Sequence, residues 1–509
     1  MDDYRVVSSV REHARERGSS AAITAGGPTV TYAELSARAS RFAQALRAAG
    51  VQPGGRVCYV GKPIPEYADV LCGAPRVGAV CTPVNWRLTP AEIAAIITDA
   101  KALVTVVDAE FAELAAELPG TVIVTGEPYE GWLAGHPAED PGYTGDPDDV
   151  VVQLYTSGTT GVPKGVQLTN VNLGGGYEAP KEPWTIDEDS SVMVAAPVFH
   201  IGGTGLLVIA FRAGARVVLL RDAVPAEMID TLERERVTNA FLVPAMLQFM
   251  CDVPGAAERD YSSLRAISYG ASPITTEVLK RSLTTFGVPL AQVYGLTETT
   301  GSITQLRPED HDPGGPREYL LRSAGKPFPW VELKIVDAAT GEVLPAGEVG
   351  EVWARTPQNT PGYYNRPTET ERLLAGDGWV RSGDAGYLDD DGYLFITDRI
   401  KDMIVSGAEN VYPIEVENVL AEHPGVADVA VIGVPDEKWG ETVKAVVVRA
   451  EGDTTTEEEL IAWSRPRLAG FKRPRSVDFV PELPRNPSGK ILKKELRRPY
   501  WEGRSRNVG

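Results

Sequence analysis

The stretch YTSGTTGVPKG, residues 155–165, gathers four serine and threonine hydroxyls, three glycines and one lysine into eleven positions. Glycines leave backbone N–H groups open to a ligand, hydroxyls add donors, and lysine adds a compact positive charge, a set that suits phosphate oxygens. A Walker loop needs Gly, four residues and then Gly-Lys-Ser/Thr. Here Pro163 precedes Lys164 and Gly165 follows it, so a P-loop ATPase is unsupported. A flexible linker is the bland alternative, but the apolar runs DVVVQLY and GVQLTN enter and leave the loop, which predicts that two strands hold it. Cys58, Cys72, Cys81 and Cys251 lack paired metal-ligand spacing and are expected to be reduced and packed in the interior.

The surrounding sequence alternates helical and strand patterns. TYAELSARASRFAQALRAAG has apolar residues at helical spacing and ends on Gly50, and GRVCYVG reads as a short buried strand. PAEIAAIITDA before KALVTVVDA, and AEMIDTLERERV before TNAFLVP, repeat the theme and predict α/β layers on a largely parallel sheet. From about residue 326 short alternating runs with Thr-Gly and Asp-Gly turns predict a β-rich region, and beyond DRIKD at 398–402 the pattern turns compact α+β. The expected fold class is α/β. A large N-terminal domain, residues 1–400, holds layered α/β subdomains and a β-rich subdomain; a small mobile α+β C-terminal domain covers 401–509.

At 509 residues the chain exceeds what one core usually organises. Its net charge of -20 argues against nucleic acid or an anionic membrane as partner, so any polyanion must be held locally. The N-terminal twenty residues lack the apolar stretch of a secretory signal, and Arg212, Arg216 or prolines interrupt every apolar run before it could span a bilayer. A cytoplasmic protein is expected.

The loop closely resembles the signature loop of the adenylate-forming ligases, the superfamily of acyl-CoA synthetases, peptide-synthetase adenylation domains and luciferases. The resemblance covers nearly the whole chain, because further motifs appear in the family's order: APVFHIGG with His200, YGLTET at 294–299, GWVRSGDAGYLDDDGYLFITDRIKD at 378–402, SGAENVYPIEVE at 406–417, and PRNPSGKILKKELR with Lys490. It implies that ATP and Mg²⁺ activate a carboxylic acid to an acyl-adenylate, with release of pyrophosphate, before the acyl group passes to coenzyme A.

Residue by residue, the resemblance implies that Thr156, Ser157, Gly158, Thr159, Thr160 and Lys164 contact the β- and γ-phosphates, and that Thr297 contacts phosphate beside the magnesium ligand Glu298. Tyr294 and Gly295, with the backbone of Gly270, Ala271, Ser272 and Pro273, line the adenine. Asp384 takes the ribose hydroxyls, in a motif where Ser382 replaces the commoner Thr, and Arg399 lies near ribose and phosphates. His200 gates the acid pocket. Lys490 bridges carboxylate and α-phosphate, and Lys401 is the hinge that swings the small domain.

For coenzyme A the implied surface is Gly407, Ala408 and Glu409 with Trp439, Phe471, Lys472, Arg473 and Arg475; Arg465 and Arg467 extend the basic cluster. Ala408 departs from the glycine usual in thioester-forming members and adds a methyl to the pantetheine channel. An amine acceptor, giving an amide, is therefore the alternative. The acid pocket is expected within 199–206, 241–246, 268–272 and 293–301, with Gly202, Gly203, Gly270 and Gly295 leaving room. Trp330 stands where the family often has Gly and receives no role.

Overall fold

The alternating first part folds into two mainly parallel sheets. One has six strands in the order Thr121–Val124, Val104–Val107, Arg56–Val60, Val80–Val84, Val150–Thr156, Lys164–Thr169. The first five run parallel and the last returns antiparallel. The hydroxyl-rich loop joins these last two strands, as the flanking apolar runs predict. The other sheet has nine strands in the order Lys326–Pro327, Gly301–Leu306, Leu290–Leu296, Ala266–Gly270, Asn239–Leu242, Ser191–Val194, Arg216–Leu219, Ala21–Thr24, Val30–Thr31. Its six inner strands are parallel and its margins antiparallel. Arg56–Val60 and Val80–Val84 are buried throughout, which is why they read as continuous apolar runs. Thr31 and Thr89 begin the predicted helices Tyr32–Ala48 and Pro90–Ala100 with capping boxes to Glu34 and Glu92.

The computed structural model describes residues 4–156, 163–175, 186–271, 274–338, 340–399, 402–406, 409–436, 439–485 and 491–502. The chain divides into two compact units, Met1–Glu332 with Ala354–Val380, and Leu333–Trp353 with Arg381–Gly509. Residues 333–353 and 381–399 of the β-rich stretch thus group with the C-terminal residues, and the expected hinge, Lys401, lies outside the described residues. A four-stranded sheet, Glu332–Val336, Gly350–Arg355, Trp379–Leu388, Leu394–Arg399, has most of its residues in the second unit. That unit's five-stranded sheet is built on the hairpin Val426–Asp436 and Gly440–Arg449. Val429 and Val431 face a core with the helices Pro413–Ala421 and Glu457–Ser464, while Ala430, Ile432 and Val434 face the helix Lys493–Trp501. Among the described residues no helix is long and apolar enough to cross a membrane.

One buried cation ties together the two strands that carry the loop. Arg56, 9% exposed, donates from Nε to Gln153 Oε1 and from Nη2 to Gln167 Oε1, both at 3.0 Å. Its guanidinium lies 3.7 Å from the ring centroid of Tyr364. Gln153 and Gln167 face each other across the two strands. Replacing Arg56 with Met strands both amide oxygens, so Arg56→Met is expected to cost about 2–4 kcal/mol in urea denaturation.

Candidate active site

Thr156 and Lys164 are cross-strand partners at the two ends of the loop, so the antiparallel ladder brings hydroxyl and ammonium to one place. Lys164 makes no ion pair among the described residues; its Nζ lies 5.2 Å from the ring centroid of Tyr363. Glu298 sits on the short turn Thr297–Thr299 after the strand Leu290–Leu296. The turn is closed by Thr299, whose hydroxyl accepts from Leu296 N at 3.0 Å, and is followed by Thr300 in the left-handed region. Glu298 Oε1 accepts from the Tyr363 hydroxyl at 2.8 Å. Its Oε2 makes no hydrogen bond among the described residues.

No three His, Cys, Asp or Glu side chains converge on a metal site among the described residues. A single carboxylate with one oxygen uncommitted still fits Mg²⁺, which keeps several waters and is held largely through substrate phosphates. Thr297 adjoins Glu298 on the same turn.

His200 precedes the helix Ile201–Ala213, in extended conformation, with its ring tilted on Phe199 at 4.6 Å between centroids. Its Nε2 is shielded from solvent without a hydrogen-bond partner among the described residues. Burial, reinforced by the positive charge of Arg87, pulls the imidazole down to about 4, so it is neutral at physiological pH.

The four glycines expected to leave room for an acid do not leave a void. A Cβ on Gly203 would run into the Pro197 carbonyl, on Gly270 into the Val293 carbonyl, and on Gly295 into the Gly301 carbonyl. Beside Gly202 stands the Phe241 ring, 3.2 Å from where a Cβ would lie, and the same ring is 3.5 Å from the corresponding position on Gly270. The space is taken by close backbone approach and by one aromatic side chain.

Tyr294 is partly exposed and lies opposite Thr304; the register then shifts at Gly295. Ala271, at φ 68°, follows the strand Ala266–Gly270 in the left-handed region. In the second unit Asp384 is 3% exposed and lies opposite Arg399 in the antiparallel pairing. Its N–H donates to Ser382 Oγ at 3.0 Å, the contact a threonine hydroxyl would make.

The proposed coenzyme A residues are not gathered into one free basic face. Lys472 pairs with Glu415 at 2.7 Å, Arg473 donates from Nε to the Leu468 carbonyl at 2.9 Å, and Phe471 packs on the domain core. Arg475 is exposed, and Trp439, 40% exposed, lies apart in the turn of the long hairpin. Ser157, Gly158, Thr159, Thr160, Ser272, Pro273, Lys401, Gly407, Ala408 and Lys490 lie outside the described residues, as do the side chains of Arg399 and Glu409.

Four residues without a role in the sequence contact the candidate residues or the strands that carry them: Arg56 on the two strands flanking the loop, Arg87 beside His200, Phe241 against the glycines, and Tyr363 on Glu298. Only Tyr363 stood next to a readable signal, the turn sequence PGYYNRP, and that signal speaks of backbone rather than of a ligand.

The AMP-binding enzyme family matches residues 10–364, and the AMP-binding enzyme C-terminal domain matches 415–490. The fatty acid–[acyl-carrier-protein] ligase ScoC of Streptomyces coeruleorubidus is 41% identical, covering 99% of this chain and 98% of that protein. A feruloyl-CoA synthase of an Amycolatopsis species is 40% identical over 96% and 97%. The structure of the amide bond synthetase McbA from Marinactinospora thermotolerans aligns with a TM-score of 0.87 at 32% identity, over 97% of this chain and 100% of that one. Fold, motifs and matches define an adenylate-forming enzyme. The chain belongs to the AMP-binding enzyme family.

The shielded imidazole has a measurable consequence. Unfolded, His200 titrates near 6.5, so between about 6.5 and about 4 the unfolded chain binds a proton that the folded one refuses. Stability is full above 6.5 and falls as pH drops through that window, by up to about 3 kcal/mol from this group. Urea denaturation between pH 7.5 and 4.5 should show the fall in wild type and a shallower one in His200→Phe; equal slopes would contradict the assignment.

Proposed function

We propose that this chain is an AMP-forming acid–thiol ligase, which converts a carboxylic acid and ATP to an acyl-adenylate and pyrophosphate and then transfers the acyl group to the thiol of coenzyme A. The observation that carries this reading is the pairing, across Tyr363, of a lysine without an ion-pair partner among the described residues and a carboxylate with one oxygen uncommitted, in a chain of this family. In the first step a carboxylate oxygen attacks the α-phosphorus and the bond to pyrophosphate breaks. Two anions meet, so the barrier is largely electrostatic and falls when donors and cations stand where charge develops. Thr156, Ser157, Gly158, Thr159, Thr160 and Lys164 hold the departing phosphates, Thr297 contacts phosphate, and Glu298 holds Mg²⁺. That ion, when bound, neutralises phosphate oxygens. Tyr294 stacks on adenine, lined also by Gly270, Ala271, Ser272, Pro273 and Gly295; Asp384 accepts the ribose hydroxyls, with Arg399 nearby, and Lys490 bridges carboxylate and α-phosphate. Neutral His200 closes the acid pocket without adding charge.

In the second step the thiol attacks the acyl carbon and AMP leaves. A small domain beginning near Lys401 turns about that residue, withdraws Lys490 and presents Gly407, Ala408 and Glu409 to the pantetheine arm. Exposed Arg465 and Arg475 offer cations to its nucleotide. A second reading, transfer to an amine, is favoured by the methyl of Ala408 and by the likeness to an amide bond synthetase. Product mass after incubation with acid, ATP and either coenzyme A, carrier-protein thiol or amine separates the acceptors.

Lys490→Ala is expected to lower acid-dependent pyrophosphate release by at least about a hundredfold while ATP binding stays within a few-fold. Unchanged release would contradict the adenylation reading. In a pyrophosphate-release screen over aryl, short, medium and long acids, Phe241→Ala should raise kcat/KM for bulkier acids relative to smaller ones by roughly tenfold. An unaltered acid profile would place the pocket elsewhere.

A further inference from the structure

Lys164 and Glu298 come from different sheets, and one side chain touches both. The Tyr363 hydroxyl donates to Glu298 Oε1 at 2.8 Å, and the Tyr363 ring faces Lys164 Nζ at 5.2 Å from its centroid, within cation–π range. The tyrosine is itself fixed. Its N–H donates to Thr370 Oγ1 at 3.0 Å, and its neighbours bond to the strand bearing Lys164: Gln167 N to the Gly362 carbonyl at 3.1 Å, and Tyr364 N to the Gly165 carbonyl at 2.8 Å.

The same segment holds the turn bearing Glu298. Thr360 N donates to the Glu298 carbonyl at 2.9 Å, and the Thr300 hydroxyl donates to the Gln358 carbonyl at 2.6 Å. The fully buried Gln358 donates from Nε2 to the Ser302 carbonyl at 3.2 Å. Trp330 completes the brace: its Nε1 donates to Gln358 Oε1 at 2.7 Å, and its ring is stacked on Phe328 with 5.1 Å between centroids. The tryptophan without a role in the sequence thus locks the glutamine that holds the turn.

We propose that Tyr363 is a positioning residue that sets the separation of Lys164 and Glu298 and orients the glutamate carboxylate, and so determines how tightly the protein binds a divalent metal complex of a nucleoside triphosphate. This rests on Glu298 being the metal ligand. The hydroxyl occupies Oε1 and restricts rotation of the carboxylate, leaving Oε2 as the ligand oxygen; the ring keeps the lysine beside it without neutralising it, as a carboxylate would. Residues that orient a metal ligand in this way are typically worth 10–100-fold in metal affinity or activity.

The test is Mn²⁺ binding to protein and ATP, followed by the electron paramagnetic resonance signal of free Mn²⁺, together with calorimetric binding of ATP in EDTA. Tyr363→Phe removes the hydroxyl and keeps the ring. It should weaken Mn²⁺ binding about tenfold, leave metal-free ATP binding within twofold, and leave KM for the acid unchanged. Tyr363→Leu also removes the ring and should weaken metal-free ATP binding. Glu298→Asp, which draws the carboxylate away from the hydroxyl, probes the same bond from the other side, and Tyr363→Phe added to it should cost nothing further. If Tyr363→Phe binds Mn²⁺ as wild type does, or if its effect multiplies fully with that of Glu298→Asp, the positioning role is overturned while the site stands. If Glu298→Gln itself leaves Mn²⁺ binding unchanged, the metal site is overturned as well.

Discussion

An acidic chain that must hold a polyanion has to keep a few cations unneutralised, and this constraint shapes the two strands that flank the loop. Elsewhere in the protein Lys62 is met by the carboxylates of Glu110 and Asp222, and Arg38 by those of Asp69 and Glu130. For Arg56 and Lys164 the partners among the described residues are neutral. Arg56 is held by two amide oxygens and an aromatic face, and burial without a carboxylate partner among the described residues lowers its proton affinity. Lys164 faces the ring of Tyr363. Amides and rings fix a cation's position but leave its field available, whereas an adjacent carboxylate would cancel much of it at the distance of a phosphate.

The same logic accounts for His200. A protonated imidazole beside Arg87 would add a second positive charge in a shielded position; burial and that neighbour together keep it neutral. Arg87 then carries the positive charge at this position, and His200 adds none to it.

Much of the fold was legible because it is periodic. The helices Tyr32–Ala48 and Pro90–Ala100 and the strands Arg56–Val60, Val104–Val107 and Asn239–Leu242 fall where apolar spacing and turn residues predict them. The loop between two strands was legible for the same reason. What was not legible depends on contacts between residues distant in sequence. Gly203, Gly270 and Gly295 read as open space, yet each is required by a carbonyl from another stretch, and Gly202 lies close against the ring of Phe241. Tyr363 lies in a connection without period, so nothing local marks it; its meaning comes from Glu298, sixty-five residues earlier. Trp330 stood out as an anomaly and became intelligible only once Gln358 was placed against it.

The acceptor side follows from what the basic cluster becomes after folding. Read along the chain, SRPRLAGFKRPRS is a dense positive patch; folded, Lys472 is matched by Glu415, Arg473 is turned onto a backbone carbonyl, and Arg467 lies 3.5 Å from the Trp463 ring centroid. These contacts fix side chains within the second unit, and of the three only that of Lys472 to Glu415 pairs a charge. On the proposed function, discrimination between coenzyme A and a small amine rests on shape where the acceptor passes the backbone, the position at which this chain carries the methyl of Ala408 in place of a hydrogen.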